Sequence, residues 1–196
     1  MQMGKTKVKV CGLTREEEAE MLADCRVEFA GMVLFFPKSK RNVTLQQAEK
    51  ILAALKKYGI SKSVAVTVSP TKEQVEQIMR LGFDYIQIHG TLSDEVHDVL
   101  RIPVIRAVNV AGETESIRRK LESVLADEKT AGILFDGSSP GAGKTFDWSI
   151  LKAVPDHRYF LAGGLGTENI KEAIQIYHPA VIDLSSSVET DGKKDR

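Results

Sequence analysis

The chain has 196 residues, with 27 Lys plus Arg against 27 Asp plus Glu, and 42% of it is hydrophobic. That is enough for one domain whose core buries roughly 70% of the unfolded surface, so neither disulfides nor a structural metal is required. Zero formal charge and a pI near 6.9 exclude the cationic face of a nucleic-acid or acidic-membrane binder and point to a small-molecule partner.

Two cysteines, Cys11 and Cys25, without CxxC spacing or a neighbouring Cys/His cluster, offer neither a disulfide framework nor a zinc site. Residues 1–9 lack an apolar leader core, and no apolar run approaches the roughly 18 residues of a membrane span. The expectation is a soluble, cytoplasmic protein without a metal.

Apolar periodicity alternates strand and helix along the whole chain. Strands are expected at 7–10, 29–34, 63–68, 85–88, 104–108, 132–135, 159–161 and 181–184, and amphipathic helices at 15–25, 45–58, 72–81, 93–100, 117–126, 149–153 and 168–177. Thr14 reads as an N-cap, and Gly59 and Gly82 as left-handed helix ends. Eight units of about 24 residues with no linker between them fit a single small (β/α)8 TIM barrel over 1–196. An open doubly wound sheet is the alternative, and it would leave two strands unused.

In such a barrel the chemistry lies where strands end. The stretch Gly141–Thr145 imitates a P-loop, but Ser138 stands where the motif needs its first Gly, and Phe146-Asp147-Trp148 opens no helix on the Thr. Gly163-Gly164 after strand seven and Ser185-Ser186-Ser187 after strand eight read better as a paired phosphate cradle of backbone N–H groups. Ordinary turn glycines and capping serines are the plain alternative.

Strand alternation puts Lys9 and Cys11 on one side of strand one, where the ammonium is expected to lower the thiol pKa and Asp183 to neutralise Lys9 across the closing seam. Cys11 is then a base or nucleophile, and Cys25 incidental. Asp136 ends an apolar strand and serves either as an acid or as a cap of its own loop. His89 ends a strand with Gln87 inward before it, as a donor to substrate or as a satisfied interior residue; His97, His157 and His178 are expected at the surface. The basic run Lys38, Lys40 and Arg41 meets an anion or is simply solvated, and only Arg41 can grip a carboxylate bidentately.

Six segments carry a resemblance: Lys9–Thr14; Gly31–Phe35 with Lys38–Arg41; Gln87–Gly90; Asp136 with Gly143–Trp148; Leu161–Leu165; and Asp183–Glu189. In this order the chain resembles the phosphoribosylanthranilate isomerases of tryptophan biosynthesis. The resemblance implies a cofactor-free Amadori rearrangement of a phosphorylated substrate by a monomer or homodimer. In it Asp136 protonates the furanose ring oxygen, Cys11 takes the C2 proton, Arg41 holds the anthranilate carboxylate and His89 lines the pocket. The chain departs from the usual pattern at Ser187 (Gly), at Lys40 (Pro) and in a closing helix abbreviated after Lys194-Asp195. If that Gly reflects a positive φ or a close phosphate approach, Ser187 weakens phosphate binding.

Overall fold

The computed structural model describes residues 5–110, 114–136 and 159–195. The expected helix at 149–153, the stretch Gly141–Thr145, the segment Gly143–Trp148 and His157 lie outside the described residues. The elements in order are β1 (Lys7–Cys11), α1 (Glu17–Asp24), β2 (Phe29–Leu34), β3 (Asn42–Val43), α2 (Leu45–Tyr58), β4 (Lys62–Val68), α3 (Lys72–Leu81) and β5 (Tyr85–His89). Then come α4 (Asp94–Val99), β6 (Val104–Asn109), α5 (Thr114–Ala126), β7 (Thr130–Asp136), β8 (Tyr159–Leu161), α6 (Ile170–Tyr177) and β9 (Val181–Leu184), followed by a short C-terminal hairpin.

Eight strands run parallel in the order β1-β9-β8-β7-β6-β5-β4-β2, and β1 pairs back onto β2 through Lys9↔Phe29 and Cys11↔Gly31. That last pairing closes the sheet into a barrel and disposes of the open-sheet alternative. All eight expected strands are present; the two-residue β3 beside β2 is an addition.

The period-two pattern of each strand divides its residues between two cores. Phe29, Val64, Val66, Ile105, Ala107, Leu134, Phe160 and Val181 fill the barrel. At its floor Phe29 packs edge-on against Phe160 and Tyr85, at ring separations of 5.4 and 5.8 Å. The alternate residues, among them Ala30, Ile86, Ile88 and Val104, face outward and pack with Leu22, Ile51 and Ile78 of the helices. The inward side chains plug the floor, and among the described residues the barrel opens above the strand C-termini.

Helices begin and end where capping chemistry dictates. Thr44 with Gln47, and Thr71 with Gln74, form reciprocal capping boxes at α2 and α3. Gly59 and Gly82 take the left-handed C-cap conformation, with φ of 68° and 79°. The expected Thr14 cap does not form: α1 starts at Glu17, and the Glu18 carboxylate reaches back to accept from the backbone N–H of Thr14 and Arg15.

After β9 the described chain makes a 3₁₀ turn (Ser186–Val188) and then β10 (Glu189–Thr190) and β11 (Lys193–Lys194), in place of the abbreviated helix the sequence suggests. Asp191 and Gly192 both have positive φ, 52° and 74°, which is the two-residue turn a tight hairpin needs. Among the described residues no helix is long and apolar enough to cross a membrane.

Candidate active site

A cavity of about 500 Å³ opens over the strand C-termini, lined by Cys11, Arg41, Gln87, His89, Asp136, Gly163, Gly164, Asp183 and Ser185–Ser187, among others. Lys9 lies beneath it, fully buried. The fold therefore gathers Lys9, Cys11, Arg41, His89, Asp136, Gly163, Gly164, Asp183 and Ser185–Ser187 at this one place, whereas Cys25 and His97 lie elsewhere.

On β1 the Lys9 Nζ donates to Asp183 Oδ2 at 2.6 Å, joining the first and last barrel strands through the register Lys9↔Asp183. Burial lowers the Lys9 pKa, but attraction to Asp183, and then to Cys11, outweighs it and the net shift is upward. Lys9 is thus a fixed cation in a nearly dry wall. Cys11 follows one turn of the pleat above it, where Gly31 makes room: a Cβ there would lie 3.1 Å from Cys11 Sγ.

The expected lowering of the Cys11 thiol is reversed. Burial raises its pKa most, Lys9 draws it down less, and Asp183 adds to the rise. Burial is the largest cause, and the Asp183 charge works against the pull of Lys9, so the net shift is upward. Cys11 rests as a thiol, and Cys25 is exposed and unbridged.

Arg41 does not stand free for a ligand. Its Nε and Nη2 donate to the two oxygens of Glu189 at 2.5 and 2.8 Å, and its stem crosses Gly12, where a Cβ would come within 2.2 Å of Arg41 Cδ. Gly12, at φ 88°, is therefore required by contact as well as by conformation. Glu189 also accepts from Lys194 Nζ at 2.8 Å, with Lys40 Nζ 3.5 Å away. Burial would raise its pKa, yet the hydrogen bonds from Arg41 and Lys194 bring it down to about 2. Lys40 itself is largely exposed, which favours the solvated reading of that side chain.

Asp136 ends β7 on the same face as Leu134, nearly buried at the cavity wall. The Gln87 side-chain amide meets the His89 ring at 2.8 Å between their Nε2 atoms and fixes the ring from inside the barrel. Burial first, and then the charges of Lys9, Arg106 and Lys120, lower the His89 pKa to about 4, so the ring is neutral at physiological pH.

The glycine pair Gly163 and Gly164 has φ of 94° and 64°, and Asn169 laces the loop by donating to Gly164 O at 2.8 Å and accepting from Gly166 N at 3.0 Å. Opposite it, Ser185 Oγ donates to Cys11 O at 3.0 Å, and Lys194 Nζ donates to Ser185 O at 3.1 Å. Ser187 lies in the 3₁₀ turn and is not among the residues of positive φ, so the expected backbone strain is absent. Glu189, Lys194 and Asn169 went unassigned from sequence. Only the Asp191-Gly192 turn, which folds the tail back over the site, could have signalled the first two.

A family model described as N-(5'phosphoribosyl)anthranilate (PRA) isomerase matches residues 8–196. The chain belongs to the PRA isomerase family. The PRA isomerase of Streptococcus mutans is 36% identical over 192 residues, spanning 97% of this chain and 93% of that protein. A structure of monomers generated from the dimeric PRA isomerase of Thermotoga maritima superposes with a TM-score of 0.78 at 31% identity, over 97% of this chain and 93% of that one. A PRA isomerase in complex with reduced 1-(o-carboxyphenylamino)-1-deoxyribulose 5-phosphate gives the same TM-score, identity and coverage. Among the described residues of this PRA isomerase family member, no group of three or more His, Cys, Asp or Glu side chains could hold a metal ion.

Proposed function

We propose that this chain converts N-(5-phosphoribosyl)anthranilate to 1-(2-carboxyphenylamino)-1-deoxyribulose 5-phosphate in tryptophan biosynthesis, with Asp136 as general acid and Cys11 as general base. The observation that carries the assignment is their placement. β1 and β7 stand three strands apart round the barrel, and their terminal side chains face one cavity. A substrate between them can receive a proton on one side and lose one on the other.

Asp136 delivers its proton to the furanose ring oxygen as the C1–O bond breaks, and the aniline nitrogen lone pair closes the C1=N imine. The thiolate form of Cys11, its proton given up to solvent beforehand, then removes the C2 proton; the pair of electrons forms the enolamine, which tautomerises to the ketose. Gln87 Oε1 and Asp183 Oδ1 are buried acceptors that no donor among the described residues fills. They suit the sugar hydroxyls, with Lys9 holding Asp183 in place. The Arg41 N–H groups left over from Glu189 face the anthranilate carboxylate, and His89 lines that pocket. Backbone N–H groups of Gly163, Gly164, Ser185, Ser186 and Ser187 cradle the phosphate. No cofactor is needed for these steps, which suit one domain, monomeric or homodimeric, working in the cytoplasm.

The test is the fluorescence of freshly made phosphoribosylanthranilate, with and without a metal chelator. Enzyme-dependent decay indifferent to chelator is expected. No decay, or decay abolished by chelator, overturns the reading.

A further inference from the structure

Arg106 is a buried guanidinium outside the substrate cavity, 7% exposed; it lines a smaller pocket with Asp94, His97 and Asp127, and the Asp127 charge offsets only part of its desolvation. It stands on β6 between Ile105 and Ala107, which face into the barrel, so its own side chain lies in the layer between sheet and helices. A cation placed there is costly unless its donors are used. Nη1 donates to Ile88 O at 3.4 Å and Nη2 donates to Gly90 O at 3.1 Å.

Those two carbonyls flank His89. His89 ends β5 and Gly90, at φ 70°, begins the turn after it, so the two accepting carbonyls stand one on each side of His89's own. Here His89 O accepts from Ser69 N at 2.9 Å on the β4 side. The β5–β6 pairing ends at Ile88↔Arg106, so the Arg106 side chain continues the hydrogen bonding past the point where the backbone ladder stops. A planar fork with several donors can bridge two such carbonyls, whereas an ammonium offers a single point of charge.

We propose that Arg106 is a positioning residue for His89, holding the exit of β5 from behind the barrel wall so that the imidazole keeps its place in the substrate cavity. The inference rests on the reading above, in which that cavity binds the substrate. Gln87 holds the ring from inside, Ser69 holds its own carbonyl, and Arg106 holds the carbonyls on either side. The charged groups acting on the ring are Lys9 from β1, Arg106 from β6 and Lys120 from α5, all cations that oppose its protonation. Asp136 and Asp183 line the same cavity. Arg106 therefore also helps to keep the ring neutral.

The experiment compares Arg106→Met and Arg106→Lys, each alone and combined with His89→Asn, and follows the His89 ring in labelled protein by NMR titration. Arg106→Met is expected to lower kcat/KM by about tenfold or more, the scale of a misplaced contact. In the His89→Asn background it should cost less than about twofold, because the group being positioned is gone. The His89 pKa should rise in Arg106→Met and stay in place in Arg106→Lys, while Arg106→Lys still loses part of kcat/KM for want of the fork. Equal losses in both backgrounds, or an unmoved His89 titration in Arg106→Met, would show a merely structural arginine. If Arg106→Met does not fold, full kcat/KM in Arg106→Lys overturns the proposal. Failure of the isomerase reading shows instead as a wild-type protein without activity, and the NMR arm still reports on the Arg106–His89 coupling.

Discussion

Two side chains carry the proposed chemistry, and their substitution separates it from folding. Cys11→Ser and Asp136→Asn should each lower kcat by at least roughly a hundredfold with the circular dichroism spectrum unchanged. Cys25→Ser, at an exposed position, should change neither. Because the Cys11 thiol is pushed up by burial, its thiolate fraction grows with pH, and kcat/KM should climb from neutrality toward an alkaline limb. Lys9→Met removes a charge that favours the thiolate, so the limb should move further up; a limb that stays in place would remove Lys9 from the account. At Ser187 the lack of backbone strain changes the expectation raised by the sequence. Ser187→Gly should alter KM and the inhibition constant of inorganic phosphate by less than about twofold, and a several-fold tightening would show that the serine side chain crowds the phosphate.

At the scale of elements, the C-terminal hairpin takes the part of a seal. Its Glu189 ties Arg41 of the β2–β3 loop, and its Lys194 ties Ser185 and, through the backbone N–H, Glu18 of α1. A bidentate charge-assisted pair fixes a guanidinium in both direction and plane. Glu189→Gln keeps the shape and removes the charge. It is expected to raise KM by about tenfold with kcat nearly unchanged, as for a contact shared by ground and transition states. A lower KM would mean that Glu189 competes with the substrate carboxylate for Arg41.

For the whole molecule, His89 and Glu189 are strongly shifted and link stability to pH in separate windows, with Asp84 and Asp127 adding to the acidic one. The folded chain holds the His89 pKa near 4 against an ordinary 6.5, so between these values the unfolded chain binds more protons and stability falls as pH drops from 6.5 to 4. Glu189 is held near 2 against 4.5, so its contribution is complete above 4.5 and is lost as pH falls toward 2. Urea denaturation across pH should therefore show two successive losses. His89→Asn should flatten the upper one and Glu189→Gln reduce the lower; unchanged profiles would refute the linkage.

The eight strands, most helices and the polar residues at the strand ends follow from the sequence itself, because period-two and 3.6-residue patterns and cap residues are local properties. Residues such as Cys11, His89 and Asp136 could be placed at one mouth once the barrel was inferred, since each ends a parallel strand. Partnership across the chain is different. Glu189 lies 148 positions from Arg41, and Arg106 is 16 from Gly90 and faces away from the cavity. Neither pairing leaves a local signal. The direction of the Cys11 shift, too, was decided by tertiary structure, because it depends on how burial and the Asp183 charge weigh against the pull of Lys9. Sequence determined the scaffold and the chemical groups at its mouth; folding decided which charges are spent on one another and which remain for a substrate, since desolvation and Coulomb energy depend on distances that only the closed barrel sets.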